Sequence, residues 1–267
     1  MHILACVKQT PVSDSVKVDM ETGCLVRTGI EAAMNPFDEF ALEEAVRTKE
    51  KLPGSSVSSL TMGPPQAEAV LRDSVARGGD SCYHLCDAAL AGSDTWATSY
   101  ALAQAIKHIS KTAGEIRLVL CGKQTNDSDT GHIGPQLATW LDWPNAAFVR
   151  RIAAVTETSV TVERLMEDGT DVLELPLPAV ISVIKEINTP RIASLKGRLA
   201  AKKAVISKLS AAEIGCDNAR LGREGSPMSV VRTFTPSVKM ESVTIPGDTP
   251  AEKAENLFAA LKAKQLI

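Results

Sequence analysis

The sequence predicts an α/β fold, doubly wound around a mainly parallel sheet. Three observations carry that reading. Short apolar runs alternate with helix-like segments from residue 2 to residue 144, the pattern of successive βαβ units. Hydrophobic residues make up 44% of the 267 residues and aromatics only 4%. The apolar content is therefore mostly Ala, Val, Leu and Ile, which suits strands buried on both faces and close helix packing. Several strand-like runs also give way directly to Gly, Pro, Asn or Asp and then to a helix start, so polar helix N-termini gather at one sheet edge.

Residues 2–7 read as the first strand, with Lys8 and Gln9 at the end where open α/β sheets bind ligands. Residues 16–19 and 25–27 flank a Glu21-Thr22-Gly23 turn and read as a β-hairpin. Asn35-Pro36-Phe37-Asp38 is a helix start: Asn35 suits the N-cap, proline the first turn, and Asp38 and Glu39 complement the dipole. Pro53-Gly54 stops that helix after Leu52. Residues 57–62 form the second strand. Met62 and Gly63 then lead into Pro64-Pro65 and a helix to about Arg77, a second place where a phosphate could sit. Residues 82–85 form the third strand. Ser93-Asp94-Thr95 opens a helix to about Ile109, with Asp94 and Thr95 as N-cap residues and Thr98 one turn in.

Residues 116–120 form a further buried strand, and the stretch after it organises the chain: CGKQTNDSDTGHIGPQLATWLDWP, residues 121–144. Its first part is Gly, Asn, Asp, Ser and Thr with almost no hydrophobic side chain. Gly134-Pro135 then opens a helix carrying Leu137, Ala138 and Leu141, with proline expected at the first helical position. Backbone N–H groups and the helix dipole favour a phosphate there. A polar loop satisfied by water has the same composition, and spacing alone leaves both readings open.

Residues 160–163 and 172–175 flank Asp168-Gly169 as a hairpin, and residues 177–184 form another buried strand. From 185 to 208 seven basic residues face only Glu186; a solvated basic helix accounts for this. Residues 210–246 are polar with little helical period, and a helix follows from Pro250 to about Lys264, started by Asp248 or Thr249. The expected organisation is a nucleotide-binding domain at 1–209 and a C-terminal arm and helix at 210–267 that wraps a partner subunit.

A net charge of −3 gives no global attraction to nucleic acid or anionic lipid. The six cysteines include no C-x-x-C pair and no zinc or iron–sulfur spacing. Cys6, Cys82 and Cys121 read as small buried hydrophobes of a reducing compartment. No leader or membrane-spanning run is legible, so a cytoplasmic location is expected. No serine or cysteine stands where His132 could activate it, so hydrolysis is disfavoured.

Gly122-Lys123-Gln124, Asp127, Asp129-Thr130, Gly134-Pro135 and the closing Leu141-Asp142-Trp143-Pro144 resemble the nucleotide-binding segment of the β subunit of electron transfer flavoproteins. Other motifs agree in order: Val7-Lys8-Gln9, Asn35-Pro36-Phe37-Asp38-Glu39 with Ala41-Leu42-Glu43-Glu44-Ala45, and Pro190-Arg191 with Ser194-Leu195-Lys196-Gly197. The resemblance spans nearly the whole chain. It implies a Rossmann-like fold of the adenine nucleotide α hydrolase type. It further implies nucleotide contacts from Cys6, Lys8, Asn35, Met62, Gly63, Asp94, Thr95 and Thr98. In the central loop it implies contacts from Gly122, Gln124, Asp127, Asp129, Thr130, Gly131, His132, Ile133 and Gly134. The Ser-Leu-Lys-Gly loop implies docking of a flavin-dependent dehydrogenase through Leu195, Lys196 and Arg198.

Within that family, AMP-holding members resemble D-x-D-C-N-Q-T-G-Q, and electron-bifurcating members resemble D-G-D-T-A-Q-V-G-P. Here the stretch is Asp127-Ser128-Asp129-Thr130-Gly131-His132-Ile133-Gly134-Pro135. Asp-Thr and Gly-Pro match the second pattern, while His132 replaces its usual Gln. The resemblance therefore implies a heterodimer with an α subunit. It implies FAD in this chain, NADH as electron donor, and delivery to a ferredoxin or flavodoxin and a dehydrogenase. AMP as a structural nucleotide is the alternative. The cofactor would carry the chemistry, and the protein would supply orientation and electrostatics.

Overall fold

A computed structural model describes residues 1–12, 31–231 and 242–267. The expected hairpin at 16–27 lies outside the described residues. By contacts the chain divides into Met1–Val231 and Arg232–Ile267.

In the first unit, β1 (His2–Cys6) leads through β2 (Gln9–Pro11) and β3 (Ala32–Met34), a small antiparallel pair, into α1 (Pro36–Lys51). Next come β4 (Ser56–Met62), α2 (Glu68–Ala76), β5 (Ser81–Leu85), α3 (Thr95–Ala113), β6 (Ile116–Gly122) and α4 (Ile133–Leu141). The chain continues through β7 (Asn145–Val155), β8 (Ser159–Leu165), β9 (Thr170–Pro176), β10 (Ala179–Val183), α5 (Leu195–Lys203) and β11 (Ile206–Leu209). Among the described residues nine strands form one sheet in the order β11-β5-β4-β1-β6-β10-β7-β8-β9. Pairing is parallel from β11 to β7, and only β8 and β9 add antiparallel ladders. This is the expected doubly wound α/β arrangement.

The layers follow from the period of two along each strand. On β1, Ile3 and Ala5, with Val7 just beyond, face a core shared with α1 and α2. Leu4 and Cys6 face the opposite core, shared with α3 and α4. Ile3 and Leu4 are fully buried, each stabilising the fold by about 1.5–3 kcal/mol. From β1 the chain moves outward to β4 and β5, and β11, the last strand among the described residues, is added beyond β5. From β5 the chain crosses back to β6 and continues the other way to β7, and β10 later inserts between those two strands. The order therefore reverses between β1 and β6, and the ends of those two strands open a crevice at the switch point.

Three differences from the sequence reading have physical causes. Strand β7 is not legible by alternation: its buried residues Ala146, Val149 and Ile152 fall three apart because the register shifts twice against β8. Such bulges replace period two with a helix-like spacing. Helix α4 starts at Ile133, not Gly134, with His132 as N-cap, so Pro135 occupies the third helical position. It is still in the first turn, where its missing N–H costs nothing. Residues 210–231, expected to leave the domain as an arm, pack on it. Ala211, Ile214 and Leu221 are buried in the α3–α4 core, and the Asp217 N–H donates to the Tyr100 hydroxyl at 2.9 Å.

The second unit contains α6 (Pro250–Ala263). Thr249 is its N-cap and accepts a hydrogen bond from the Glu252 N–H at 3.2 Å. Leu257 and Phe258 are exposed on it. Among the described residues no helix is long and apolar enough to cross a membrane.

Candidate nucleotide site

The site is built from α1 outward. Asn35 is fully buried and precedes Pro36. The sequence suggests a capping side chain, but Asn35 makes no side-chain cap bond. Its backbone carbonyl accepts from the Asp38 and Glu39 N–H groups instead. The freed amide reaches across to the β6–α4 loop. Asn35 Nδ2 donates to the Gln124 carbonyl at 2.8 Å, and Oδ1 accepts from the Asn126 N–H at 3.2 Å. One side chain thus holds two backbone groups of the loop, and proline supplies the helix start.

Asp38 sits one turn further along and is also buried. Its Oδ2 accepts the Lys8 backbone N–H at 2.8 Å, and the Gly122 N–H adds a second bond. Burial pushes its carboxyl up from the ordinary 3.8 to about 7, against the lowering by Asn35, Lys8 and Gly122. Gly122 has no room for a side chain: a Cβ there would lie 2.7 Å from the Phe37 carbonyl carbon and collide with Asp38. Lys8 Nζ forms an ion pair with Asp127 at 2.8 and 2.9 Å, and the Asp127 side chain is only 2% exposed. β1, α1 and the loop are therefore cross-linked at the switch point.

Within the loop, Gln124 Nε2 donates to Asp129 Oδ1, and the Asp129 N–H donates to the Thr125 carbonyl at 2.8 Å. Asp129 adopts a left-handed backbone with φ 53°, which Asp tolerates better than most residues. Thr130 and His132 are exposed, and Gly131 follows with φ 68°. The His132 side chain makes no cap bond to α4. Gly134 is buried against Ser182 of β10, with its would-be Cβ 3.1 Å from Ser182 Cβ. The result is a fastened loop that exposes the Thr130 hydroxyl and the His132 imidazole beside an uncapped helix start, with the exposed Asp129 carboxylate engaged by Gln124, an arrangement that can receive an anion.

The structure gathers Lys8, Asn35, Gly122, Gln124, Asp127 and Asp129 into this one network. Cys6 lies beneath it at the end of β1, buried in the α3–α4 core beside Cys121. The Cys6 thiol and burial both raise the Cys121 thiol, so Cys121 is not a ready thiolate. Met62 and Gly63 end β4 on the next strand, where the Gly63 N–H donates to the Leu85 carbonyl at 3.1 Å. Asp94 caps α3, accepting from the Ala97 N–H at 2.9 Å and the Met228 N–H at 3.0 Å. Its carboxylate is thereby committed to structure, while Thr95 and Thr98 are half-buried beside it. Leu195, Lys196 and Arg198 are exposed on α5, away from this network. Asp38 and Asn126 were not singled out from sequence; the acidic residue after N-P-F was legible only as a dipole complement.

The profile of the electron transfer flavoprotein domain matches residues 22–214. The chain is 40% identical over 267 residues, all of both chains, to the caffeyl-CoA reductase–Etf complex subunit CarD of Acetobacterium woodii. It is 39% identical over 268 residues, again all of both chains, to the electron transfer flavoprotein subunit beta of Thermoanaerobacterium thermosaccharolyticum. It is 40% identical over 257 residues to protein FixA of Sinorhizobium fredii, covering 95% of this chain and 89% of that one.

Proposed function

The chain belongs to the β-subunit family of electron transfer flavoproteins, and from that we propose that it binds FAD at the β6–α4 loop within a heterodimer with an α subunit. The observation that carries this is the loop itself. Its polar side chains are consumed in fastening it, while Thr130 and His132 stay exposed and the His132 side chain does not cap the start of α4. Those groups fit a pyrophosphate. The Asp129 carboxylate is occupied by Gln124 and belongs to the loop's own support. Lys8, between Asp127 and the strand ends, offsets negative charge there.

Bound FAD would supply hydride acceptance from NADH and onward transfer of single electrons. The chain's residues bind, orient and exclude water. Asn35 and Asp38 hold the loop, and Gly122 lets α1 approach the end of β6. The Asp127-to-Pro135 stretch supports an electron-bifurcating role, with one electron passed to a ferredoxin or flavodoxin and one to a flavin-dependent dehydrogenase. The relative named as a subunit of a caffeyl-CoA reductase complex supports a partner of that class, docking on the exposed Leu195 with Lys196 and Arg198 beside it. Nothing in the reading calls for nucleic acid or a membrane.

Acid release of cofactors from the purified heterodimer, followed by chromatography, tests the proposal. Two FAD per heterodimer is the expected result. One FAD and one AMP would replace it with a non-bifurcating carrier that holds AMP as a structural nucleotide.

A further inference from the structure

We propose that Arg191 and its carboxylate partners on α1 form a clasp that positions the exposed apolar segment 192–199 for docking. The inference rests on the reading of Leu195 as the contact for a dehydrogenase. It adds the residues that hold this contact in place.

Arg191 Nε donates to Glu43 Oε2 at 2.8 Å, and its backbone N–H donates to the same oxygen at 3.1 Å. Its two terminal nitrogens reach Glu50 at 2.6 and 3.0 Å. The residues just before are tied as well. Asn188 Nδ2 donates to the Phe40 carbonyl and to Glu44, both at 3.0 Å, and Arg47 donates to the Thr189 carbonyl at 3.1 Å. From the C-cap of α2, Arg77 donates to the Arg191 carbonyl at 3.3 Å.

Glu43 is 4% exposed. Burial opposes its charge, yet the guanidiniums of Arg191 and Arg47 outweigh that and hold its carboxyl below the usual range. A buried carboxylate of this kind is costly to leave unpaired, which makes the clasp stiff. Immediately beyond it three apolar side chains face water: Ile192 is 88% exposed, Leu195 76% and Leu199 54%. Gly197 rests directly on the Ala76 carbonyl of α2, where a Cβ would collide. The segment is thus fixed before and within α5, while its apolar groups remain outside. Ordering a contact before its partner arrives removes part of the entropic cost of association. Exposed Lys196, Arg198, Lys202 and Lys203 surround the ridge. The fitting partner is therefore a protein with an apolar recess bordered by carboxylates.

The test uses the heterodimer. In Arg191→Gln, amide exchange across 192–199 should accelerate about tenfold or more while residues 122–132 keep their protection. The exposed arm is tested separately by Glu50→Gln, which keeps the buried Glu43 pair and should act in the same direction by a few-fold. Against the caffeyl-CoA reductase named with the Acetobacterium woodii relative, Arg191→Gln should raise KM about fivefold at unchanged kcat and flavin content. It should add nothing on a Leu195→Ala background, because both changes act through one contact. Unchanged exchange in both variants, or additive KM effects, overturns the clasp while leaving docking through Leu195 intact. A Leu195→Ala heterodimer with wild-type KM overturns the docking reading and this inference with it.

Discussion

Two connections leave neighbouring strands of the sheet, the loop after β6 and the segment after β10, and both are fastened to α1. They are fastened differently and present opposite surfaces. The β6 loop is held by a buried amide, a buried carboxyl and one ion pair, through Asn35, Asp38 and Lys8. What it leaves outside is polar: Thr130 and His132, beside the uncapped start of α4. The β10 segment is held by charged side chains along the rest of α1, chiefly Glu43 and Glu50 on Arg191. What it leaves outside is apolar: Ile192, Leu195 and Leu199. One helix therefore supports a surface suited to a small anionic ligand and another suited to a protein. The difference lies in which polar groups the fastening consumes.

The largest way to break this comparison is at the glycine where α1 meets β6. Gly122→Ala places a methyl against the Phe37 backbone and Asp38, and neither can give way cheaply. It should destabilise the chain by about 3 kcal/mol, read as a lower Tm, with loss of the cofactor from the β subunit. Leu195→Ala attacks the other surface alone. It should cost about 2 kcal/mol in dehydrogenase binding, read by titration, and leave flavin content unchanged.

Asp38→Asn sharpens the comparison through pH. Asp38 is raised in the folded chain from 3.8 to about 7, so the folded state binds this proton more tightly than the unfolded state. The stability it contributes is full below about pH 4 and is lost as pH rises toward 7. Thermal melts should show wild-type stability falling over that interval by at most about 1.4 kcal/mol per pH unit from this group. Asp38→Asn should flatten that slope. The β10 segment, held by carboxylates that stay ionised, should not share the dependence; both Glu43 and Glu50 are held low, Glu50 chiefly by its bonds to Arg191.

Much of this was legible from residues. Alternating apolar runs located β1, β4, β5, β6 and β10, because buried parallel strands leave continuous hydrophobic patterns. The polar stretch between β6 and α4 marked the loop, and its Gly-Pro marked the first turn of the helix within two residues. What stayed hidden depends on tertiary contact. The bulged β7 imitates a helical spacing. Short β11 carries Ser207 and Lys208 and is a strand only because β5 pairs with it. Asn35 reads as a cap in sequence, yet it reaches Gln124 and Asn126, 89 and 91 residues away. Arg191 reads as one cation in a basic run, and its partners lie on a helix far earlier in the chain.

The central claim is that the β6–α4 loop holds the FAD pyrophosphate through groups that the loop's own fastening leaves accessible. Thr130→Val tests it most directly, since it keeps the side chain's shape and removes its hydroxyl. Losing one hydrogen bond to a charged group costs about 1.5–3 kcal/mol, roughly a tenfold to hundredfold loss in affinity. In the heterodimer, β-subunit FAD affinity should fall by that factor and NADH-dependent reduction should fall with occupancy. The α-subunit flavin should stay bound and remain reducible by dithionite. Wild-type FAD affinity in Thr130→Val would contradict the claim and place the pyrophosphate elsewhere.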